Sequence, residues 1–401
     1  MIDSPAPTAE SRAVSVWLVA LALACVPAVI VGFGRFAYGV VLPAMKADLG
    51  LTFAQMGALN TANALGYLGG ALVCAPLTKY VSERQMIIWG VALSVVALWI
   101  TGLARSFETL LALRALIGIT AAFGNIAATG MATRLVGKTD AQSALALGIV
   151  IAGPGLGVIF TGLTLPFLLE RSSHEWPLAW EFMAIVGAIV SLYIFAMLRH
   201  VPPADDLKTV RALARPNFRP LWPAFAAYFL FGLGYIAYMT FLVAYVRKLG
   251  ASPATVALAW AVLGASMFGA SFVWRARLSA ERGGTTLFLL GIGGGLSAFL
   301  PLLSPSLLVL MISAAGFGVT TMAVYTGVTI LLRLHWERPQ WTLGVAYATT
   351  IFALGQSVGP YGSGLASDVF GPKASLVWSG VILVAAGCVA LWQKPSVEIA
   401  K

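Results

Sequence analysis

Residues 31–43 read VGFGRFAYGVVLP and set one full positive charge, Arg35, in the middle of an apolar run that begins near Val14 and ends near Ala44. Such a run is too long for the core of a cleaved leader and long enough for a bilayer crossing, which takes roughly 20 apolar residues. Arg35 lies eleven residues before Lys46 at the end of the run. In a helix rising about 1.5 Å per residue that is roughly 16 Å, close to mid-bilayer. A charge held there costs at least a few kcal/mol, so Arg35 is expected to face a water-filled cavity and meet an anion. The bland counterpart is an arginine that only binds backbone carbonyls and ties helices together.

Of the 401 residues, 59% are hydrophobic and only 10% charged, with a mean hydropathy of +0.89. These values exclude an ordinary soluble domain and indicate a polytopic membrane protein. Twelve apolar segments follow one another: Val14 to Ala44, Phe53 to Thr78, Met86 to Ala104, Glu108 to Arg134, Gln142 to Leu169 and Pro177 to Leu198, then Pro220 to Val246, Ala254 to Trp274, Thr285 to Leu303, Ser306 to Arg333, Thr342 to Ser367 and Lys373 to Trp392. The fold class is therefore all-α, with twelve transmembrane helices. The net charge of +10 would point to nucleic acid only if the basic residues clustered on one solvated face. Instead they sit in the breaks between apolar runs. The breaks on the side of both termini hold 17 Lys and Arg, and the opposite breaks hold 6. By the positive-inside preference both termini are expected in the cytoplasm. Cys25, Cys74 and Cys388 lie singly in apolar segments and read as buried packing thiols.

The longest polar stretch, Arg199 to Pro220, divides the chain near its middle. It is expected to be a cytoplasmic linker, residues 199–219, between six-helix bundles at 1–198 and 220–401. Internal repetition supports two related halves. Gly32-Phe-Gly34-Arg35-Phe-Ala37-Tyr38 lies opposite Gly232-Leu-Gly234-Tyr235-Ile-Ala237-Tyr238, and at the same offset of 200 Leu49-Gly50 matches Leu249-Gly250. Gly153-Pro154-Gly155-Leu-Gly157 likewise has a partner in Gly359-Pro360-Tyr-Gly362-Ser-Gly364.

Parallel repeats around a midplane site characterise one large class of transporters, and here the chain resembles the major facilitator superfamily, MFS. Arg114-Ala-Leu-Ile-Gly118 looks like the family's helix-four arginine motif, and Gly153-Pro154 with its glycines looks like the helix-five motif. Within the superfamily, GFGRFAY, Asn63-Ala-Leu-Gly-Tyr67 and Phe352-Ala-Leu-Gly355-Gln356-Ser-Val-Gly359-Pro360 resemble the YbfB/YjiJ-like bacterial group. The loop after the second helix departs from the family pattern. Lys79 stands where the family has an acid and Ser82 where it has a glycine, so the family's charge latch at that place is not carried over. The resemblance implies a multi-pass protein of the bacterial inner membrane that binds a small molecule between two halves.

Arg35 is the first candidate for that site, since guanidinium matches carboxylate, phosphate or sulfonate in bidentate fashion. Its repeat partner, Tyr235, is neutral. Tyr228, Tyr235 and Tyr238, spaced seven and three apart, share a helical face. The match of Tyr38 with Tyr238 places both at the cavity. Arg114 and Asn125 are nearly on one face after three turns, and for this arginine the resemblance implies a conformational or proton-relay role as well as substrate contact. Asn60, Asn63 and Tyr67 form a polar stripe that either lines the cavity or bonds to another helix. Tyr325 and Gln356 are further candidates, with Thr320, Thr321 and Tyr347. Gly32, Gly34, Gly118, Gly153, Pro154, Gly157, Gly359 and Pro360 read as helix-packing and bending positions.

What is missing bears on the chemistry. All fifteen acids lie in loops or in the first or last turns of helices, and His174, His200 and His335 lie in loops. No deep carboxylate or histidine is left to neutralise Arg35 and Arg114 or to carry protons. No nucleophile with a base and no metal-ligand set stands in the helices, so neither enzyme chemistry nor a cofactor is expected. The expected partners are a small anionic substrate and the lipid bilayer, with no nucleic acid and a monomeric chain. The reading is a transporter of a small organic anion by alternating access. Its alternatives are a proton-linked exporter of neutral or cationic drugs or metabolites and, more remotely, a transporter-like sensor.

Overall fold

The computed structural model describes residues 15–78, 80–132, 135, 140–170, 172–201, 217–337 and 340–395, and in these the chain forms twelve long helices. The first half contains α1 (Val16–Leu49), α2 (Phe53–Leu77), α3 (Glu83–Leu103), α4 (Phe107–Ala132), α5 (Asp140–Leu168) and α6 (Trp176–Leu198). The second contains α7 (Trp222–Lys248), α8 (Pro253–Val273), α9 (Thr285–Leu303), α10 (Leu307–His335), α11 (Trp341–Phe370) and α12 (Lys373–Ala390). Ten of them are long and apolar enough to cross a membrane by length and composition. The other two, α2 and α11, are as long and carry Asn60, Asn63 and Gln356. A five-residue helix, Arg275–Ser279, follows α8 without a counterpart in the sequence reading.

Helix starts follow local chemistry. Thr52 and Gln55 form a reciprocal capping box at α2, and Ser82 with Gln85 forms another at α3, each satisfying backbone N–H groups that the first turn leaves free. Ser82, the residue that departs from the family's loop glycine, thus serves as a cap. Gly50 and Gly250, matched in the repeat, both take left-handed backbone angles, with φ of 64° and 83°, a conformation that disfavours any residue with a Cβ.

The twofold repeat is visible in the packing. α1 packs on α5, α2 on α4, and α3 on α4 and α6; the same pairs recur six helices later as α7 on α11, α8 on α10, and α9 on α10 and α12. Two six-helix bundles of like construction result. They meet along two symmetry-related seams, α2 against α11 and α5 against α8. In lipid, helices are held by close packing and hydrogen bonds rather than by hydrophobic burial, so small residues mark the contacts. A Cβ on Gly32 of α1 would stand 2.7 Å from the Cα of Gly157 of α5, and one on Gly155 2.7 Å from the carbonyl oxygen of Gly264 of α8. Outward-facing side chains are apolar: Leu72, Trp89, Ile189, Leu192 and Leu308 are each more than 60% exposed, as a lipid-facing belt requires.

Two expectations change. The first helix is not regular throughout, because nine residues after Pro27, Ala28–Phe36, are π-helical. Proline removes a backbone donor inside a helix, and the ladder re-forms around it with a wider turn. Cys388 is exposed on the bundle's surface and Cys25 half-buried, so only Cys74 is a buried thiol; an apolar position in a lipid-facing bundle need not be interior. Most of the expected linker, residues 202–216, lies outside the described residues, as do Arg12, Lys79, Arg134, Lys138, Arg171, Arg338 and Lys401 of the charge count.

Candidate functional site

Successive helices run in opposite directions, so one face of the bundle holds the start of α1 and the end of α12 (the terminal face), and the other is the far face. Between the halves, in the part nearer the terminal face, lies a cavity of about 240 Å³. Its first-half wall carries the charge and several polar groups among the apolar Val31, Ala121 and Ile151. Arg35 and Phe36 of α1, Asn63 and Tyr67 of α2 and Asn125 and Thr129 of α4 line it, and Pro154 of α5 closes one side. Its second-half wall is aromatic, with Tyr228 and Tyr235 of α7, Tyr325 of α10 and Phe352 of α11, flanked by Gln356. Among the described residues that line it there is no Asp, Glu or His.

Arg35 is the last but one residue of the π-helical segment, whose wider turn rotates the side chains it carries relative to a regular helix. It is 7% exposed, and its Nε and Nη2 are buried with no hydrogen-bond partner. These two nitrogens share one edge of the guanidinium plane, the edge that binds a carboxylate through two parallel bonds. Beside it, Asn125 Nδ2 donates to the Tyr67 hydroxyl at 3.0 Å.

The opposite wall is a slab of rings. Tyr228 and Phe352 stack at 4.9 Å and 23°, Phe231 and Tyr235 at 5.1 Å and 8°, and Tyr325 meets Phe352 edge-on at 5.0 Å and 71°. The spacing Tyr228, Phe231, Tyr235 along α7 places three rings on one stripe. Gln356 Nε2 donates to the Tyr235 hydroxyl.

Four expected site residues stand elsewhere. Arg114 is 1% exposed. Its Nη1 donates to the Gly34 carbonyl at 2.6 Å, its Nη2 donates to Asn60 Oδ1 at 3.3 Å, and its guanidinium lies 4.5 Å from the Tyr38 ring. It is sealed behind α1 and does not line the cavity. Tyr38 is fully buried, with its hydroxyl donating to the Met56 carbonyl at 2.8 Å. Asn60 reaches across the halves instead, donating to Thr240 Oγ1 at 2.6 Å. Tyr238 stacks on Phe317 at 3.8 Å and bonds Ser313 at 2.7 Å. Three residues past Tyr235, it points into the second bundle. Thr320 and Thr321 bond carbonyls of their own helix, and Tyr347 packs edge-on against Phe218. The structure does bring Arg35, Asn63, Tyr67, Asn125, Tyr235, Tyr325 and Gln356 to one cavity. Tyr228 and Phe352, absent from the sequence-derived site, complete its wall, and the aromatic stripe on α7 was the available signal.

A further feature had no signal in the sequence. Asp368, in the last turn of α11, accepts from the backbone N–H groups of Phe53 at 2.6 Å and Ala54 at 2.9 Å, at the start of α2. A carboxylate at a helix N-terminus pairs with its unsatisfied donors and positive dipole end. This contact joins the two halves on the far face. The same seam holds Thr61 Oγ1 against the Ser357 carbonyl at 2.7 Å and the Phe53 ring against Phe241 at 6.0 Å, and the Gly57 Cα faces the Pro360 carbonyl directly. Along this seam the far face is closed.

Comparison with known proteins agrees with this geometry. The sequence profile of the family described as uncharacterised MFS-type transporter YbfB matches residues 27–391. The uncharacterised MFS-type transporter YceJ of Bacillus subtilis is 25% identical over 223 residues, which are 53% of this chain and 54% of that protein, so the match spans about half of each. Among solved structures, a bacterial homologue of the human lysosomal transporter Spinster, in an inward-facing and occupied conformation, superposes with a TM-score of 0.74 over 96% of this chain and 97% of that one at 19% identity. The nucleoside transporter NupG superposes with a TM-score of 0.73 over 94% and 100% at 11% identity. At these identities the two structures share the fold. With twelve helices in two like bundles and a family profile covering residues 27–391, this chain belongs to the YbfB-type family of MFS transporters.

Proposed function

We propose that this transporter moves a small organic anion, carboxylate-like in charge and shape, by alternating access between its two halves. The observation that carries the reading is Arg35: a cavity-wall guanidinium with two buried, unpartnered nitrogens and no acidic neighbour among the described lining residues. An unpaired charge out of water is costly, and an anion entering the cavity offsets that cost. A cation would meet only like charge. The cavity of about 240 Å³ also falls below the roughly 300–1,000 Å³ of sites that hold drug-sized ligands, which disfavours a drug exporter.

In this reading, residues 1–198 and 220–401 rock against each other about the site. Both termini face the cytoplasm of a bacterial inner membrane, so the closed far face is the outer one and the structure is the inward-facing state. One chain supplies both walls, and a monomer suffices. With no deep acid, coupling takes the form of anion exchange, facilitated flux, or a proton travelling with the substrate. The test is uptake of a panel of labelled monocarboxylates into proteoliposomes. Arg35→Gln should abolish saturable uptake, with Arg35→Lys keeping part of it; uptake unchanged in Arg35→Gln overturns the reading.

A further inference from the structure

The cavity walls carry a narrower statement about the cargo, which rests on the anion reading above. We propose that the substrate is a one-ring aromatic monocarboxylate whose carboxylate pairs with Arg35 and whose ring lies against the slab formed by Tyr228, Tyr235 and Phe352, with Tyr325 at its edge.

Three observations converge. The first is charge. Of the two arginines buried among the described residues, Arg35 lines the cavity, while both terminal nitrogens of Arg114 are committed to Gly34 and Asn60. One guanidinium balances one negative charge, which selects a monoanion over a dicarboxylate or a phosphate. The second is the division of the walls. The first half contributes the one charge, Arg35, with Asn63, Tyr67 and Asn125 set among apolar side chains, and the second half contributes the rings of Tyr228, Tyr235, Tyr325 and Phe352, with Gln356 and Thr349 beside them. A cargo that is polar at one end and flat and apolar at the other matches both walls at once. Aromatic pairs gain more than the area they bury accounts for, through the arrangement of their quadrupoles, a gain that a saturated ring of the same size does not make. The third is size. A cavity of about 150 Å³ holds benzene, so one of about 240 Å³ holds a single ring with a carboxylate and a short spacer but no fused polycycle.

The test uses the purified full-length protein and binding calorimetry with defined probes: benzoate, 3-phenylpropanoate, cyclohexanecarboxylate, benzamide and phthalate. Benzoate or 3-phenylpropanoate should bind roughly three- to tenfold more tightly than cyclohexanecarboxylate, with benzamide and phthalate weaker still. In Phe352→Leu and in Tyr235→Leu the ratio of benzoate to cyclohexanecarboxylate affinity should fall toward one. The wild-type comparison does not depend on either variant folding. Cyclohexanecarboxylate equal to benzoate overturns the aromatic inference and leaves the anion reading standing. Benzamide equal to benzoate, or benzoate binding unchanged in Arg35→Gln, overturns the anion reading and this inference with it. No binding of any aromatic acid at millimolar concentration, where an aliphatic acid binds, overturns the inference alone.

Discussion

Arg35 and Arg114 are both buried arginines inside apolar helices, and what their nitrogens touch separates them. Arg114 holds the Gly34 carbonyl and Asn60, and its charge lies over the Tyr38 ring; it fixes the backbone on which Arg35 stands. Removing it leaves a carbonyl and an amide oxygen without their donor. Arg114→Gln is expected to cost on the order of 1–3 kcal/mol of stability, read as a lower unfolding temperature in detergent. Arg35 has two nitrogens that bond nothing, so Arg35→Gln removes an unpaired buried charge. It should leave the unfolding temperature unchanged or raise it while abolishing anion binding. If Arg35→Gln destabilises the protein as much as Arg114→Gln does, Arg35 is a structural tie and not a binding group.

At the scale of helices, the seam between α2 and α11 holds the two halves together on the far face. Gly57 sits against the Pro360 carbonyl with no room for a side chain, and Asp368 holds the first turn of α2 from the other half. Gly57→Val forces the helices apart. An overpacking cost of about 1–3 kcal/mol moves a two-state equilibrium roughly 5- to 150-fold, toward the form open on the far face. Spin labels at Thr52 and Val369 should then report a longer distance than in the parent protein; an unchanged distance shows that the seam does not set the state. Asp368→Ala should act in the same direction and Asp368→Asn less, since the amide keeps one acceptor oxygen. The π-helical segment of α1 belongs to this scale too. It places Arg35 where Arg114 can hold its neighbour, and a regular helix through Pro27 would set that side chain at another angle.

For the molecule as a whole, polarity is inverted relative to a soluble protein, with an apolar belt outside and polar side chains such as Arg35, Asn63, Asn125 and Gln356 held inside. Orientation in the bilayer follows from where the cationic loops lie. A C-terminal fluorescent fusion should be bright and a C-terminal alkaline phosphatase fusion inactive in whole cells. The reverse result would put the terminal face, and the cavity nearer it, on the outer side and the α2/α11 seam on the inner side.

Twelve helices, their pairing into two halves and the presence of a buried cation without an acid were legible in the residues. Each depends on a property local in sequence: the apolar length that crosses a bilayer, a motif repeated at an offset of 200, and a census of charged positions. The cavity was legible only in part. Asn63, Tyr67 and Arg35 were found because polar side chains in apolar helices must be satisfied somewhere, but that rule does not say where. Asn60 found Thr240 in the other half while Asn63, one turn later, reached the cavity wall; Tyr235 lines it while Tyr238 turns to Ser313. Such choices depend on the rotation of each helix against its neighbours. The hold of Asp368 on α2 joins residues 315 apart in the chain, and no periodicity records a contact of that kind. The apolar pattern by itself determined which segments enter the membrane, because transfer into lipid is a property of each segment alone. Only the packed tertiary structure decided which polar groups meet, because that is set by how twelve helices rotate and cross to fill one volume.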